Sequence, residues 1–240
     1  MATYVLIAGA AHGGWCWHKV VALLEARGHR VLAPDLLGLG SDQTPVSTLT
    51  LESWIDQIVD LVKAQPEPVV LVGHSRGGIV ISSVAERIPD RVGRLVYLTA
   101  FLLKDGQSLG DVARTDERSV IGPNLVIDEA AGTWLIRPEV AIHGFFADCS
   151  SEDLDYTFSR LRPEPLFSMT TPIHVTAERF GTVRRDYIEC LQDNAITIEC
   201  QRSMQAELPC HAVHTLNTSH SPFMSSPEEL VSAMTSEGRP

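Results

Sequence analysis

The pentapeptide Gly-His-Ser-Arg-Gly at residues 73–77 has the spacing G-x-S-x-G. The apolar run Val69–Val72 directly before it predicts a buried strand, and the run Gly78–Ile81 directly after it predicts the start of a helix. A sharp turn between a strand and a helix exposes the serine hydroxyl above the edge of a sheet, with the helix N-terminus facing any anion that forms there. The spacing and its context therefore favour Ser75 as a nucleophile over a serine in an ordinary turn.

A serine hydroxyl is a weak nucleophile at neutral pH and needs a base, which a carboxylate holds in place. With a serine at such a turn, the chain order is serine, then acid, then histidine. Five histidines come after the pentapeptide: His143, His174, His211, His214 and His220. The first two lie in a segment without a clear strand pattern, and the next two lie in or beside the last predicted strand. We predict His220 as the base because it lies in the loop after that strand, and a plain loop histidine is the alternative.

The acid is expected in the loop after the preceding strand, between Ser75 and His220 in the chain. Asp193 meets this condition because it closely follows the predicted strand Arg185–Cys190. Other acidic residues lie within that strand or in the middle of the chain. We therefore predict Asp193 as the acid, and an exposed turn residue is the alternative.

Acyl transfer at a serine also needs two backbone N–H groups that stabilise the oxyanion of the tetrahedral intermediate. One comes from the residue after the nucleophile, here Arg76, and the other from the loop after the first strand. That loop, residues 9–14, is rich in small residues, and Ala10 is the expected donor. A loop that contains glycine only in order to turn is the alternative. It does not fit G-x-G-x-x-G, and we expect no cofactor.

Short β-rich runs alternate with segments of helical period through residue 101, which predicts a mostly parallel sheet covered by helices. The alternation resumes near residue 177. We expect a single α/β domain with a core of residues 1–101 and 177–240, and a mainly helical lid of residues 102–176, called the inserted segment below. The predicted strands are Val5–Gly9, His29–Ala33, Val69–Val72, Leu95–Thr99, Arg185–Cys190 and Ala212–Leu216. The predicted helices are Trp15–Ala26, Leu51–Ala64, Ser75–Arg87, Pro138–Asp148, Ser151–Leu161, Ile198–Leu208 and Pro227–Met234.

The chain has 240 residues, 44% of them apolar, and a formal net charge of −11. This composition favours a globular protein and excludes a disordered or fibrous chain. The excess of acidic residues repels phosphate backbones, so we expect no nucleic-acid partner. No apolar stretch approaches the ~20 residues that span a bilayer, and no basic residue precedes the apolar run that begins at Tyr4. We therefore expect a cytoplasmic protein without a membrane partner.

The five cysteines are dispersed and form no C-x-x-C pair, and no pair of histidines at ligand spacing comes with a third ligand. We therefore expect no bound metal. The sequence does not determine the oligomeric state, and a homodimer stays open.

Two segments carry a resemblance to a known family. Residues 5–17, VLIAGAAHGGWCW, look like the first strand and oxyanion loop of the α/β-hydrolases, in the branch of plant methyl esterases, salicylate-binding esterase, hydroxynitrile lyases and related bacterial esterases. Residues 178–190, ERFGTVRRDYIEC, resemble that branch's approach to the acid strand. The resemblance covers nearly the whole chain and implies the α/β-hydrolase fold, with the triad at Ser75, Asp193 and His220. The residues that it places near the substrate pocket are Gly9, Ala10, Ala11, Phe101 and Trp134.

The chain also departs from the pattern of that branch. A histidine is usual where Ala8 stands, and an apolar residue is usual where Arg76 follows the nucleophile. The Arg76 guanidinium either pairs with a core carboxylate or reaches a carboxylate of the substrate, and the sequence leaves both open. Cyanohydrin lyases of the branch carry a threonine in place of Gly9 and a lysine in place of Ser221. The absence of both favours hydrolysis, because no cation is present in that loop to receive cyanide.

These residues predict a serine carboxylic ester hydrolase that forms an acyl-enzyme and acts on a small-molecule partner, a medium-sized hydrophobic or aromatic ester. By resemblance, a methyl ester is a candidate substrate. Two alternatives stay open: lyase chemistry without acylation, as in hydroxynitrile lyases, and a catalytically weak small-molecule receptor on the same fold. The aromatic residues of the inserted segment are expected either to line an apolar pocket or to form the core of that segment.

Overall fold

The computed structural model describes residues 1–236, and residues 237–240, which end the predicted core, lie outside the described residues. The strands are β1 (Thr3–Ile7), β2 (Arg30–Leu32), β3 (Val69–His74), β4 (Val92–Leu98), β5 (Leu125–Asp128), β6 (Thr133–Ile136), β7 (Glu164–Pro165), β8 (Arg185–Cys190) and β9 (Ala212–Leu216). The helices are α1 (His18–Ala26), α2 (Leu51–Lys63), α3 (Gly77–Arg87), α4 (Leu109–Ala113), α5 (Pro138–Phe145), α6 (Ser151–Phe158), α7 (Phe167–Thr170), α8 (Ile198–Glu207), α9 (Pro222–Ser225) and α10 (Pro227–Thr235). Short 3-10 turns occur at Gly14–Trp17, Val46–Thr48, Pro89–Arg91, Gly122–Asn124 and Phe180–Thr182.

Six parallel strands form the central sheet in the order β2-β1-β3-β4-β8-β9. Side chains alternate between the two faces of an extended strand, and β1 shows the consequence. Val5 and Ile7 belong to the apolar cluster formed with α2, α3 and α8, whereas Tyr4 and Leu6 belong to the cluster formed with α1, α9 and α10. Helices therefore cover both faces of the sheet, which explains the continuously apolar sequence of β3.

The predicted elements of the core agree with the structure to within a few residues. The strands predicted at Arg185–Cys190 and Ala212–Leu216 have the same bounds as β8 and β9. The helix predicted from Leu51 begins there because the hydroxyl of Thr50 accepts the N–H of Ser53, and the Ser53 hydroxyl accepts the N–H of Thr50.

Between β4 and β8 the chain leaves the central sheet. The two helices predicted there are α5 and α6, which begin at the expected residues. The small antiparallel sheet β5-β6-β7 was not predicted. Its third strand, β7, is two residues long and comes from a distant part of the chain, so no local hydrophobic pattern could have indicated it.

The carboxyl ends of parallel strands meet at one edge of a sheet, where the loops that follow them lie together. The loops after β1, β3, β8 and β9 carry Ala10, Ser75, Asp193 and His220. Within residues 1–236, no helix is long and apolar enough to cross a membrane. The same residues contain no group of three or more histidine, cysteine, aspartate and glutamate side chains arranged to hold a metal ion.

Helix α3 approaches the chain after β4 so closely that only glycine fits at Gly78. A Cβ at this position would lie 2.3 Å from the carbonyl oxygen of Phe101, which belongs to the backbone and cannot rotate away. We predict that Gly78→Ala lowers the free energy of unfolding by about 2 kcal/mol, equivalent to a Tm decrease of about 4–8 °C for a chain of this length. Chemical denaturation and calorimetry measure the two quantities.

Gly93→Ala is the matched control, because a Cβ at Gly93 in β4 would lie 3.6 Å from its nearest neighbour, an ordinary contact. Its Tm should stay within about 2 °C of that of the unmodified protein, as for surface substitutions in general. Equal Tm values for the two variants would show that the close approach at Gly78 is absent in solution.

Candidate active site

Ser75 lies at the turn between β3 and α3 with φ of 52°, in the left-handed region that residues other than glycine rarely adopt. Backbone hydrogen bonds hold this conformation. The Ser75 N–H donates to the Leu98 carbonyl at 3.2 Å, and the Ser75 carbonyl accepts from the N–H groups of Gly78 and Phe101, each at 3.1 Å. Ser75 lines a cavity beneath the inserted segment. This is the strained strand-to-helix turn that the pentapeptide predicts.

His220 and Asp193 are in direct contact. The His220 Nδ1 lies 2.6 Å from the Asp193 Oδ2, and both side chains are buried. The loop around His220 is held from two sides. The His74 Nε2 donates to the His220 carbonyl at 2.9 Å, and the Ser219 N–H donates to the Asp148 carboxylate at 2.8 Å. Asp193 therefore fixes the orientation of the imidazole, and the contacts of His74 and Asp148 fix the backbone that carries it.

The Asp193 carboxylate accepts further hydrogen bonds on both oxygens. Its Oδ1 accepts from the N–H groups of Ala195 at 2.6 Å and Ile196 at 2.9 Å, and its Oδ2 accepts from the Thr99 hydroxyl. Thr99 has φ of 34°, which is a strained conformation for a β-branched residue. These contacts fix the carboxylate against the sheet edge and exclude the reading of Asp193 as an exposed turn residue.

The Ser75 hydroxyl forms no hydrogen bond with the His220 imidazole in the part of the chain that the structure describes. His74 is the residue before Ser75, and the centroid of its ring lies 4.6 Å from the centroid of the His220 ring. Ser75 and His220 therefore lie at the same part of the sheet edge. Hydrogen bonds between catalytic groups are often long in a site without substrate and shorten when substrate binds. The structure thus pairs Asp193 with His220 and leaves the contact between Ser75 and His220 open.

The loop after β1 contributes Ala10 to the wall of the cavity. Ala10 lines the cavity, and its N–H has no hydrogen-bond partner among residues 1–236. The N–H of Arg76 is likewise unpaired in the described chain. The N–H of Ala11, in contrast, donates to Glu164 at 2.7 Å. In the loops after β1 and β3, the N–H groups of Ala10 and Arg76 are therefore available to bind an oxyanion.

The Arg76 side chain is 1% exposed and pairs with Glu164, which is fully buried. The Arg76 Nε donates to Glu164 at 2.9 Å, and the Arg76 Nη2 donates to the Gly9 carbonyl at 2.8 Å. The guanidinium lies over the ring of Trp54, 4.6 Å from its centroid. Of the two readings left open by the sequence, the structure supports pairing with a protein carboxylate. That carboxylate comes from β7 in the inserted segment and not from the core.

The cavity has a volume of about 350 Å³ and is mainly apolar. Phe101, Trp134 and Phe145 contribute to its wall, and the first two were predicted at the pocket by resemblance. Gly9 and Ala11 were also expected there, but neither lines it. A Cβ at Gly9 would lie 2.5 Å from the His74 ring, so this residue is enclosed behind the wall. The backbone of Ala11 is bound on both sides by the inserted segment.

Residues 4–233 match the family model described as the alpha/beta hydrolase family. The chain belongs to the alpha/beta hydrolase family. Methylesterase 1 of Arabidopsis thaliana is 33% identical to it, with 95% of this chain and 92% of the relative covered. Salicylic acid-binding protein 2 of Nicotiana tabacum is 31% identical, with 96% and 95% covered. A pyrethroid hydrolase from Sphingobium faniae, known from a crystal structure, is 31% identical in sequence. The two structures match with a TM-score of 0.86 over 97% of this chain and 95% of the other.

The comparisons confirm the fold and the branch of the family that the sequence resembles. Several residues that shape the site of this hydrolase were missed from the sequence, in particular Glu164, Thr99 and Asp148. Each acts through a contact with a residue far away in the chain, and none belongs to a motif. The only available signal was the charge of Arg76, which required a buried carboxylate if its side chain pointed inward.

Two further histidines of this hydrolase are buried at the site and neutral. The His12 Nδ1 donates to the Ala10 carbonyl at 2.7 Å, and the ring lies 6.4 Å from that of His74 between centroids. Burial lowers the pKa of His12 to about 4 and lowers the pKa of His74 well below its usual value, with the charge of His220 adding to the effect. Both imidazoles therefore act as uncharged hydrogen-bond donors to the backbone of the loops around the site.

We predict that acid destabilises the protein through His12. The unfolded chain takes up a proton on this residue below about pH 6.5, whereas the folded protein does so only near pH 4, so stability decreases as the pH falls through this range. The contribution of His12 is about 3 kcal/mol at pH 4 relative to pH 7. His12→Asn keeps a donor for the Ala10 carbonyl and cannot titrate. Urea denaturation between pH 4 and pH 7.5 should show a smaller decrease in stability for this variant.

His143→Asn is the control, because the His143 side chain is exposed on the inserted segment. This variant should show the same decrease in stability with pH as the unmodified protein. A decrease for His12→Asn as steep as that of the control would contradict the assignment of a buried neutral imidazole.

Proposed function

We propose that this protein is a serine carboxylic ester hydrolase that works through an acyl-enzyme. The observation that carries the proposal is that the nucleophile and both oxyanion residues line one cavity. Ser75 in its strained turn and the residues of two unpaired backbone N–H groups, Ala10 and Arg76, line the same apolar space. The His220–Asp193 pair lies at the same edge of the sheet.

In the proposed reaction, Ser75 Oγ attacks the ester carbonyl carbon while His220 takes the hydroxyl proton. The carbonyl π electrons move to its oxygen, and the N–H groups of Ala10 and Arg76 stabilise the resulting oxyanion. Collapse of this intermediate breaks the bond to the alcohol, which leaves with the proton from His220. Water then attacks the acyl-enzyme by the same steps and releases the acid, while Asp193 holds the imidazole and stabilises its charged form.

The residues around the base favour hydrolysis over release of cyanide from a cyanohydrin. A lyase of that kind needs a cation to receive the leaving cyanide, and the residue after His220 is Ser221, which is fully buried. A weak receptor on the same fold would not need Asp193 with four hydrogen-bond donors around its carboxylate. The ester hydrolase therefore accounts for more of the site than either alternative.

The cavity favours an uncharged ester with an apolar or aromatic group. About 350 Å³ is at the small end of the size range of ligand pockets, which suits a medium-sized substrate. The relatives named methylesterase and pyrethroid hydrolase support an ester substrate. We propose that the inserted segment, residues 102–176, is the lid over this pocket, and that a methyl ester is among the substrates.

Location and assembly belong to the proposal as well. We propose a cytoplasmic protein without nucleic-acid or membrane partners, and homodimer formation stays open. The acidic surface expected from the net charge of −11 supports the absence of a nucleic-acid partner.

We predict that Ser75→Ala lowers kcat/KM for 4-nitrophenyl acetate by at least about 10³-fold, because it removes the nucleophile. Ser83→Ala is the matched control, since Ser83 is a serine of similar burial within α3 whose hydroxyl donates to the Ile79 carbonyl. Its activity should stay within about threefold, as for a site without catalytic contacts. Mass spectrometry after treatment with a fluorophosphonate should place the adduct on Ser75.

Turnover by Ser75→Ala within tenfold of the unmodified protein would refute the acyl-enzyme mechanism. An adduct on a serine other than Ser75 would refute the assignment of the nucleophile.

We also predict cleavage of uncharged esters and no activity on cyanohydrins. A panel of methyl, aryl and lactone esters, tested beside mandelonitrile, should give ester cleavage and no cyanide release above that of Ser75→Ala. Release of cyanide faster than cleavage of any ester would favour lyase chemistry. Tight product binding with turnover slower than about one per hour, against ordinary enzyme rates near 10 s⁻¹, would favour the receptor.

A further inference from the structure

The Arg76 side chain does not face the substrate, although the residue lines the cavity. Its side chain is 1% exposed, enclosed between Glu164, the Gly9 carbonyl and the Trp54 ring. The remaining nitrogen, Nη1, is shielded from solvent and has no hydrogen-bond partner among residues 1–236. A substrate carboxylate therefore has no access to the guanidinium. The charge must have another role if it contributes to the reaction.

The contact between Arg76 and Gly9 acts on the peptide group that carries the Ala10 N–H. The Gly9 carbonyl and the Ala10 N–H belong to the same planar, trans peptide group, so they point in opposite directions. The Arg76 Nη2 donates to that carbonyl at 2.8 Å and thereby fixes the direction of the N–H. A charged donor on the carbonyl also polarises the peptide group and makes its N–H a stronger donor.

Glu164 fixes the next peptide group, between Ala10 and Ala11, by binding its N–H and not its carbonyl. The Ala11 N–H donates to the Glu164 Oε2 at 2.7 Å, while the Ala10 carbonyl of the same group accepts from His12. Ala11 has φ of 64°, so the chain turns sharply directly after this second peptide group. The Arg162 N–H also donates to the Ala11 carbonyl, at 3.1 Å. The inserted segment and Arg76 therefore both hold this loop through its backbone.

We propose that Arg76 and Glu164 form a positioning pair for the oxyanion hole. Arg76 then serves both oxyanion donors: it supplies its own backbone N–H and, through the Gly9 carbonyl, it orients and polarises the N–H of Ala10. Glu164 holds the guanidinium in place and keeps the Ala11 N–H turned away from the cavity. This inference rests on the proposed esterase mechanism. It adds a positioning role for the residue after the nucleophile, whose type the G-x-S-x-G motif does not specify.

Arg76→Met tests this role because it retains the backbone N–H and removes only the guanidinium. Oxyanion stabilisation occurs in the transition state and not in the substrate complex. We expect kcat for 4-nitrophenyl acetate to decrease by about 10-fold to 100-fold, below the loss of a whole oxyanion donor, with KM changed less than about threefold. Phenylboronic acid forms a tetrahedral adduct on serine, so its affinity should decrease by a similar factor.

Arg94→Met is the matched control. Arg94 is a mostly buried arginine in β4 that pairs with Asp186 at 3.2 Å and also donates to the Met234 carbonyl, at the opposite end of the sheet. A purely structural loss of a buried arginine should lower the Tm of both variants. Only Arg76→Met should lower kcat and the affinity for phenylboronic acid.

Two further variants separate the role in the reaction from a defect in folding. Arg76→Met combined with Glu164→Met leaves no unpaired buried charge and should fold even where the single variant does not. We expect it to keep the low kcat and the weak boronate binding. Glu164→Gln retains an acceptor for Arg76 but not a second one for the Ala11 N–H, and it should lower kcat less than Arg76→Met does.

The outcomes also separate this inference from the proposed function. The positioning role is wrong if the folded Arg76→Met variant, or the folded double variant, has the kcat and boronate affinity of Arg94→Met. If neither methionine variant folds, a kcat for Glu164→Gln equal to that of Arg94→Met overturns it, and a lower kcat supports it. Full activity of Ser75→Ala would instead refute the esterase mechanism itself.

Discussion

The left-handed turn at Ser75 is the constraint on which the site depends. A residue other than glycine in this conformation costs about 1–3 kcal/mol, and it persists only where the surroundings fix it. Here the neighbouring strand β4 and the chain after it supply the partners: the Leu98 carbonyl accepts the Ser75 N–H, and the Phe101 N–H binds the Ser75 carbonyl. The pairing of β3 with β4 thus determines the conformation of the nucleophile. The same chain after β4 includes Thr99, which binds the Asp193 carboxylate.

The inserted segment contributes polar contacts as well as an apolar cover. The Asp148 carboxylate binds the N–H of Ser219, directly before His220, and Glu164 binds the N–H of Ala11, directly after Ala10. Each carboxylate fixes a loop that leaves the carboxyl edge of the central sheet. A displacement of the segment would therefore alter both the base and one oxyanion donor. Access to the cavity and the geometry of the site are coupled for this reason.

Local sequence patterns predicted the strands and helices of the core, because apolar runs, helical periodicity and turn residues indicate these elements from neighbouring residues. The buried strand β3 is a short apolar run, and the pentapeptide around Ser75 lies where that run ends and the apolar start of α3 begins. The parallel order of the strands then placed Asp193 and His220 at the same edge. Contacts across the chain gave no such signal: the two-residue strand β7 and its Glu164 could not be read from neighbouring residues. Gly9 and Ala11 were placed at the pocket by analogy, and the bonds that turn them away come from distant residues.

Arg76 and Glu164 depend on each other in a way that a single substitution cannot show. A guanidinium buried without a carboxylate, or a carboxylate buried without a cation, leaves an uncompensated charge in a medium of low polarity, which is strongly destabilising. A chain with an apolar residue after the nucleophile has no need of a buried acid in β7. The arginine in the pentapeptide therefore requires the acid in the inserted segment, and the two residues are one structural unit spread over the core and that segment. Since that unit also binds the Gly9 carbonyl and the Ala11 N–H, the electrostatic requirement of one side chain determines the shape of the oxyanion loop.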